Sequence, residues 1–404
     1  MLAAGALAQD PDDLALRVHS ALERARPALL QHLEQSHGGE LALLCLAALH
    51  DEVPAENRSF ANAMSRLRAA KLASTYEFAL RLMVMAEARP FPGREKLAKA
   101  DTAALFARQK SGGGFHYHPS SDSWDLSNTQ YGVLGMRAAV ALGVPVDQER
   151  WKRALRLARS SQNDDGGFAY TDGKAGSYAS MTVAGIAVME ICRQQLDAAA
   201  LPRDLEGRIA EAWSWMTNHQ TALTEPDHGW WYYFLYGLER AAILSDKKDL
   251  AGADWYRVGA EALLRQQLAN GGWTTGGRGM VVEGRRASMP VDTAFAVLFL
   301  RRKFQRAPGP VTQSGGTTVA SLPAQADEKV LMAAVAYDTA RGKAAVPALL
   351  ENLRSPHVVR RKAAALALAR ISGKDFGFVP YLAPEQQAEA IRAAESWWLT
   401  EGRR

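Results

Sequence analysis

Most of the chain repeats apolar residues at i, i+3, i+4 and i+7, the period of a helix with one buried face, and strict alternation is almost absent. The pattern predicts helices at about 11–35, 40–50, 54–71, 74–88, 93–110, 125–142, 147–162, 177–195, 203–222, 229–245, 253–269 and 290–305. These twelve form six consecutive hairpins. Residues 306–327 (RAPGPVTQSGGTTVASLPAQAD) break the pattern with Pro, Gly, Ser and Thr, as a linker does. Four shorter helices follow at about 328–340, 344–354, 357–372 and 384–399.

The central hairpins repeat. A gapless shift of 53 residues aligns Gln109 with Gln162, Gly113 and Gly114 with Gly166 and Gly167, Phe115 with Phe168, and Tyr117 with Tyr170. It continues through Ser127/Ser180, Thr129/Thr182, Gly132/Gly185 and Met136/Met189. A third copy is Gln267 with Gly271-Gly272-Trp273, and Gln220 with Gly229-Trp230 is a degenerate one. Gly-Gly supplies left-handed backbone for a helix C-cap, the following aromatic packs back on the hairpin, and the Gln amide ties turn backbone. One hairpin buries only one face, so neighbours must stack, and six can close into a ring without caps.

The Gln-x3-Gly-Gly-aromatic copies, with QNDDGGFAY (162–170), QQLANGGW (266–273) and VDTAFAVLFL (291–300), resemble repeats of the squalene–hopene cyclase and protein prenyltransferase superfamily. The resemblance covers roughly residues 40–305. It implies an all-α fold, a six-hairpin α/α toroid over 9–305. The segments DLSNTQYGVLGMRAA, WWYYFLYGLERAAIL and DWYRVGAEALL are similar to a bacterial exported subgroup. The segment 346–373 resembles one HEAT repeat, opened by Pro347 and turned at Ser355-Pro356, and 384–398 resembles the cap of such an array. A HEAT-like domain over 328–404 implies a protein partner or docking on a neighbouring domain.

The family's chemistry transfers poorly. Cyclases of this type protonate with Asp-x-Asp-Asp followed by Thr-Ala. Here Met289-Pro290-Val291-Asp292-Thr293-Ala294 keeps only Asp292. Without neighbouring acids to poise it, a carboxyl has no help in protonating an alkene. Asp10-Pro11-Asp12-Asp13 lies outside the repeats, and Cys192 has Glu190 where the prenyltransferase zinc site has Asp. Neither the Asp-rich magnesium motif of class I synthases nor the thioester segment of complement-like proteins is present. Asp375-Phe376-Gly377 lacks the rest of a kinase. No metal and no cofactor are expected. A lyase or hydrolase on a similar barrel stays open, as does a structural adaptor with a closed cavity.

The mouth of such a barrel gathers the N-termini of its inner helices, where N–H donors concentrate. Candidate catalytic residues there are Asp292, Asp125 and His116, the last in His116-Tyr117-His118. Candidate ligand-binding residues are Trp231, Tyr232, Tyr236, Arg240 and Tyr131, an aromatic wall with one cation suited to a polyisoprenoid, a carbohydrate face or a cation. Gln109, Gly114, Phe115, Gln162, Gly167, Phe168, Gln267, Gly272 and Trp273 are expected to serve the architecture. The insertion at 276–288, with three Arg and four Gly, is a lid or a surface excursion.

Composition narrows the class. The 404 residues carry a net charge of +5, and 328–404 holds 12 Lys+Arg against 8 Asp+Glu, so the ring is nearly neutral and nucleic acid is not an expected partner. Two cysteines, Cys45 and Cys192, exclude a disulfide framework. No apolar run reaches transmembrane length. Residues 1–8, with Ala6 and Ala8 before Gln9, read as the remnant of a signal peptide, so export is expected. The expected function is a binding protein rather than an enzyme, taking a lipid, glycan or small molecule in the toroid mouth.

Overall fold

The computed structural model describes the chain from residue 11 to residue 402, apart from 89–90, 172–175, 226–229, 275–280, 283–284, 287, 303–317, 324–325 and 327. The signal-like residues 1–8, Gly229 of the degenerate repeat and much of the 276–288 insertion lie outside the described residues. The structure is mostly helical, with two ladders of two-residue strands among the described residues. It divides into two compact units, residues 17–307 and residues 308–404 with the first 16.

The larger unit contains α1 (Pro11–Gln35, from Arg17 on), α2 (Gly38–His50), α3 (Arg58–Ala69), α4 (Thr75–Glu87), α5 (Arg94–Phe106) and α6 (Leu126–Ala141). It continues with α7 (Gln148–Ser160), α8 (Ala179–Gln195), α9 (Leu205–Asn218), α10 (Trp231–Ser245), α11 (Trp255–Gln266) and α12 (Pro290–Arg301). Two kinds of helix alternate. In α3 and α7 one stripe is buried (Phe60, Ala63 and Leu67; Trp151, Ala154, Leu155 and Ala158), the spacing of a surface helix. In α8 every residue from Ser180 to Cys192 is buried, so this helix has neighbours on all sides. The mostly buried helices pack in series, α2 on α4, α4 on α6, α6 on α8, α8 on α10, α10 on α12, and α12 on α2.

Local chemistry sets the helix ends. Ser74 and Glu77 form a capping box at α4, with Ser74 N donating to Glu77 Oε2 at 2.8 Å. Asn57, Asp147 and Asp254 cap α3, α7 and α11. Pro290 opens α12, where its missing N–H costs nothing.

The repeated residues make the same bonds in each full copy. Gln109 Nε2 donates to Gly113 O (3.2 Å) and to Arg150 O on α7 (3.0 Å). Gln162 Nε2 donates to Gly166 O (2.8 Å) and Arg208 O on α9 (2.9 Å). Gln267 Nε2 donates to Gly271 O and to Ala21 O on α1, both at 2.7 Å. Each glutamine thus ties its turn to a neighbouring helix, α7, α9 or α1, and the third reaches back to the start of the unit. The first glycine of the pair sits at that approach. Gly113 has φ 103° and Gly271 φ 84°, and a Cβ on Gly271 would stand 1.8 Å from the Arg24 carbonyl oxygen. A buried threonine completes the motif: Phe115 N, Phe168 N and Trp273 N donate to Oγ1 of Thr129, Thr182 and Thr293, each at 3.1 Å.

Ion pairs reinforce the join between the two ends of this unit. Buried Asp51 accepts from Arg26 Nε on α1 and Arg301 Nε on α12, both at 2.8 Å, and Arg17 pairs with Glu261.

The smaller unit packs α13 (Glu328–Arg341), α14 (Val346–Asn352), α15 (Val358–Ser372) and α16 (Ala388–Trp397) around Leu331, Val335, Leu349, Leu368 and Ile391. Val319 and Leu322, inside the stretch expected to be a linker, are buried in this core, and Val319 N donates to Asp338 Oδ2 at 2.8 Å. The packed tail therefore begins before residue 328.

Candidate functional site: the rim at the inner-helix N-termini

The N-terminal ends of the buried helices gather at one end of the larger unit. Thr75 Oγ1, at the start of α4, donates to His116 O in the loop before α6 (2.7 Å), and Leu126 N of α6 donates to Tyr170 O in the loop before α8 (2.8 Å). Tyr232 Oη of α10 donates to Thr274 O in the loop before α12 (3.2 Å). At the opposite ends His50 pairs with Glu87 (2.8 Å), and Ser245 Oγ donates to Glu190 Oε1 (2.7 Å).

The residue just before each of four successive inner helices decides the character of this rim. Before α6 it is Asp125, which is buried and spends its carboxylate on the helix end. Oδ1 accepts from Asn128 N and Ser127 Oγ, both at 2.7 Å, and Oδ2 from Asn128 Nδ2 at 2.8 Å. In the next copy the same place holds Tyr178, with matching extended backbone (φ −148°, ψ 160°) and no side-chain cap bond. Before α10 stands Trp230 and before α12 stands Met289, again without a side-chain cap. Tyr178 is 37% exposed, Trp230 61% and Met289 36%. Losing an Asp, Asn, Ser or Thr cap costs a helix about 1 kcal/mol. Three helices forgo that bond and expose a large apolar side chain in its place. Tyr117 and Tyr170, 41% and 36% exposed, stand in the adjoining loops.

Beneath the rim an aromatic column runs into the interior. Ring centroids are 5.5 Å apart for Tyr117 and Tyr76, 4.3 Å for Tyr76 and Tyr131, and 6.4 Å for Tyr131 and Tyr233. Phe295 continues it, 5.7 Å from Tyr233 and 4.9 Å from Tyr236. Burial pushes the hydroxyls of Tyr76, Tyr131, Tyr233 and Tyr236 well above the usual tyrosine range, so they stay protonated donors at neutral pH. Tyr233 Oη uses its proton on Gln130 Oε1 at 2.6 Å.

The residues singled out from the sequence fall at different depths. Tyr131 is 1% exposed, between Tyr76 and Tyr233. Trp231, Tyr232 and Tyr236 are at most 2% exposed. Trp231 Nε1 donates to Ala222 O (3.0 Å). The Arg240 guanidinium is enclosed, 3.2 Å above the Tyr236 ring. His116 is half-buried, with Nδ1 accepting from His118 N at 3.4 Å. Asp292 is half-buried in the first turn of α12, and its charge acts on Tyr232. The described part of the insertion is a ladder pairing Val281 with Arg286 and Val282 with Arg285. Tyr178 and Trp230 were not among the sequence candidates; the 53-residue register carries the signal, because it aligns Tyr178 with the capping Asp125.

A cleft of about 460 Å³ opens on the rim between the starts of α8 and α10 and the end of α9. Tyr178, Trp215, His219, Glu225, Trp230 and Phe234 line it. The His219 ring stacks on Trp215 at 3.7 Å, and His219 Nδ1 lies 2.8 Å from Trp215 O. Trp215 Nε1 donates to Asp165 Oδ2 at 3.0 Å. Burial pushes Asp165 up, but bonds from Ser177, Gly167 N and Trp215, with His219 nearby, outweigh it and hold this carboxyl below the usual range. Among the described residues, no group of three or more His, Cys, Asp or Glu is placed to hold a metal ion, and no helix is long and apolar enough to cross a membrane.

No protein-family model matches the chain, and no curated protein matches it. Among solved structures, the type II terpene cyclase MstE from Scytonema in its apo form is 13% identical, with a TM-score of 0.29 over 72% of this chain and 98% of that chain. A variant of the same enzyme with its product merosterolic acid A is 13% identical over the same shares (TM-score 0.30). Another variant, with the substrate geranylgeranyl dihydroxybenzoate, is 14% identical, also over 72% and 98% (TM-score 0.29). At these scores nothing about substrate or chemistry passes from those enzymes to this chain.

Proposed function

We propose that residues 17–307 form an α/α toroid whose rim binds a carbohydrate-like ligand without transforming it. The cyclic packing of α2, α4, α6, α8, α10 and α12 supports the toroid. The observation that carries the function is the replacement of capping residues by exposed Tyr178, Trp230 and Met289 at three successive inner helices. Clustered apolar surface that also forgoes helix stability marks an interaction site. Tyrosine and tryptophan rings offer flat faces for sugar C–H groups, and their polar edges bond hydroxyls. A purely hydrophobic ligand would make less use of the hydroxyl edges of Tyr117, Tyr170 and Tyr178.

The bonding of Asp125 favours binding over catalysis, since its carboxylate is committed to the helix end. Export of the protein, a HEAT-like tail and a protein partner for it belong to the same reading, and the basic balance of residues 328–404 suits an acidic partner surface.

Mass spectrometry of material retained by the intact protein tests this, alongside Asp292→Asn. A glycan retained equally by both proteins is the expected result. A retained ligand chemically converted by the parent but not by Asp292→Asn would replace binding with catalysis.

A further inference from the structure

The rim cleft has an electrostatic character that a general sugar-binding face does not require. Among the described residues, those lining it include no Lys and no Arg. Glu225 is exposed in its lining, and the exposed Asp165 carboxylate borders the wall, accepting from Trp215 Nε1 at 3.0 Å and from Ser177 Oγ at 2.7 Å. An indole that donates to a carboxylate is more electron-rich on its faces, and aromatic faces attract cations through the ring quadrupole. Trp230 and Tyr178 present exposed aromatic rings at this cleft, at the starts of α10 and α8. Phe234 extends the apolar lining one turn down α10. His219 already occupies one face of Trp215, which shows that this wall accepts a flat, polarisable, chargeable group.

We infer that this cleft takes an organic cation, a quaternary or alkylated ammonium group, seated between Trp230 and Tyr178 with Glu225 as its counter-charge. The inference rests on the rim being a binding face and names the group of the ligand that enters this part of it. An ammonium carrying methyl groups suits the site better than a bare one, because the apolar lining meets the methyl groups while the rings and carboxylate meet the charge. Glu225 and Asp165 disfavour an anion, and among the described lining residues His219, stacked on Trp215, is the one basic side chain.

The test uses the full chain and tetramethylammonium as probe, with neopentyl alcohol as an uncharged competitor of similar size, followed by tryptophan fluorescence and calorimetry. Saturable binding of tetramethylammonium, and at least tenfold weaker binding of the alcohol, is expected. Trp230→Ala should weaken the ammonium roughly 2- to 30-fold, the range of one cation–π contact. Glu225→Gln should weaken it by about 1.5- to 5-fold and leave the alcohol unchanged, as for an exposed charge pair. Both residues are exposed, so both variants should keep the parent melting temperature. Equal binding of probe and alcohol, or an ammonium affinity indifferent to both substitutions, overturns the inference. If oligosaccharides bind the rim while tetramethylammonium does not, the cation site falls and the rim reading stands. If neither binds, both fall.

Discussion

The threonine in each repeat offers a sharp test of how the repeats of the larger unit are held together. Thr129 Oγ1 accepts from Phe115 N at 3.1 Å and donates to Asp125 O at 2.7 Å. Thr182 does the same with Phe168 N (3.1 Å) and Tyr178 O (3.0 Å). Both threonines are 0% exposed, as are Phe115 and Phe168. Valine keeps the volume but removes the acceptor, which leaves a buried amide N–H unsatisfied at a cost of about 1–3 kcal/mol. The added methyl recovers under about 1 kcal/mol by burial. Thr129→Val and Thr182→Val should therefore each lower unfolding free energy by about 1–2 kcal/mol. They share no hydrogen-bond partner, so the double variant should lose about the sum, about 2–4 kcal/mol. Urea unfolding would show this as a lower midpoint with an unchanged slope. Hydrogen exchange should accelerate selectively at the amides of Phe115 and Phe168. Valine variants as stable as the parent, with both amides still protected, would refute the threonine link.

Three further outcomes follow from other parts of the unit. Gly271→Ala places a Cβ 1.8 Å from the Arg24 carbonyl oxygen at a φ of 84°, so it should cost at least about 2 kcal/mol in a thermal melt; a neutral substitution would remove the close approach from the account. His32 is buried beside Ser288 Oγ at 2.9 Å, and burial lowers its pKa below the ordinary value. The unfolded chain then takes up the proton first, so stability is complete above about pH 6.5 and falls as pH drops below it, by at most about 1.4 kcal/mol per unit; His32→Gln should flatten this slope. Burial pushes the Cys45 thiol up to about 12 and raises Cys192 as well, so neither should react with a maleimide in the native protein at pH 8, and both should react in urea.

The sequence was informative wherever a residue's role repeats. The 53-residue register located Gln109 and Gln162, the recurring Gln-x3-Gly-Gly-aromatic motif located Gln267, and a glutamine at a helix end followed by Gly-Gly has few other uses than tying a turn. The helical period marked the surface helices, because α3 and α7 bury one stripe, whereas α8, buried from Ser180 to Cys192, was legible through its near-continuous run of apolar and small residues. Depth was less legible. Trp231, Tyr232 and Tyr236 fit an aromatic wall by composition, yet they are enclosed while neighbouring Trp230 is 61% exposed. Periodicity says which residues share a face, not whether that face meets protein or water. Tyr76 was missed because α4 precedes the repeats and has no aligned partner. The packing of Val319 and Leu322 was hidden by the Pro, Gly and Ser around them, since one pair of apolar residues three apart is too short to make a period.

The claim that the rim is a binding face meets its most direct test in calorimetric titration of the full chain with a panel of neutral, acidic and amino oligosaccharides, repeated on the Trp230→Ala/Tyr178→Ala double variant. The account predicts saturable binding of at least one sugar by the parent and a loss of tenfold or more in the double variant, about 1.4 kcal/mol or more, with the unliganded melting temperature unchanged. Equal affinity in parent and variant, or no saturable binding by the parent, would contradict it.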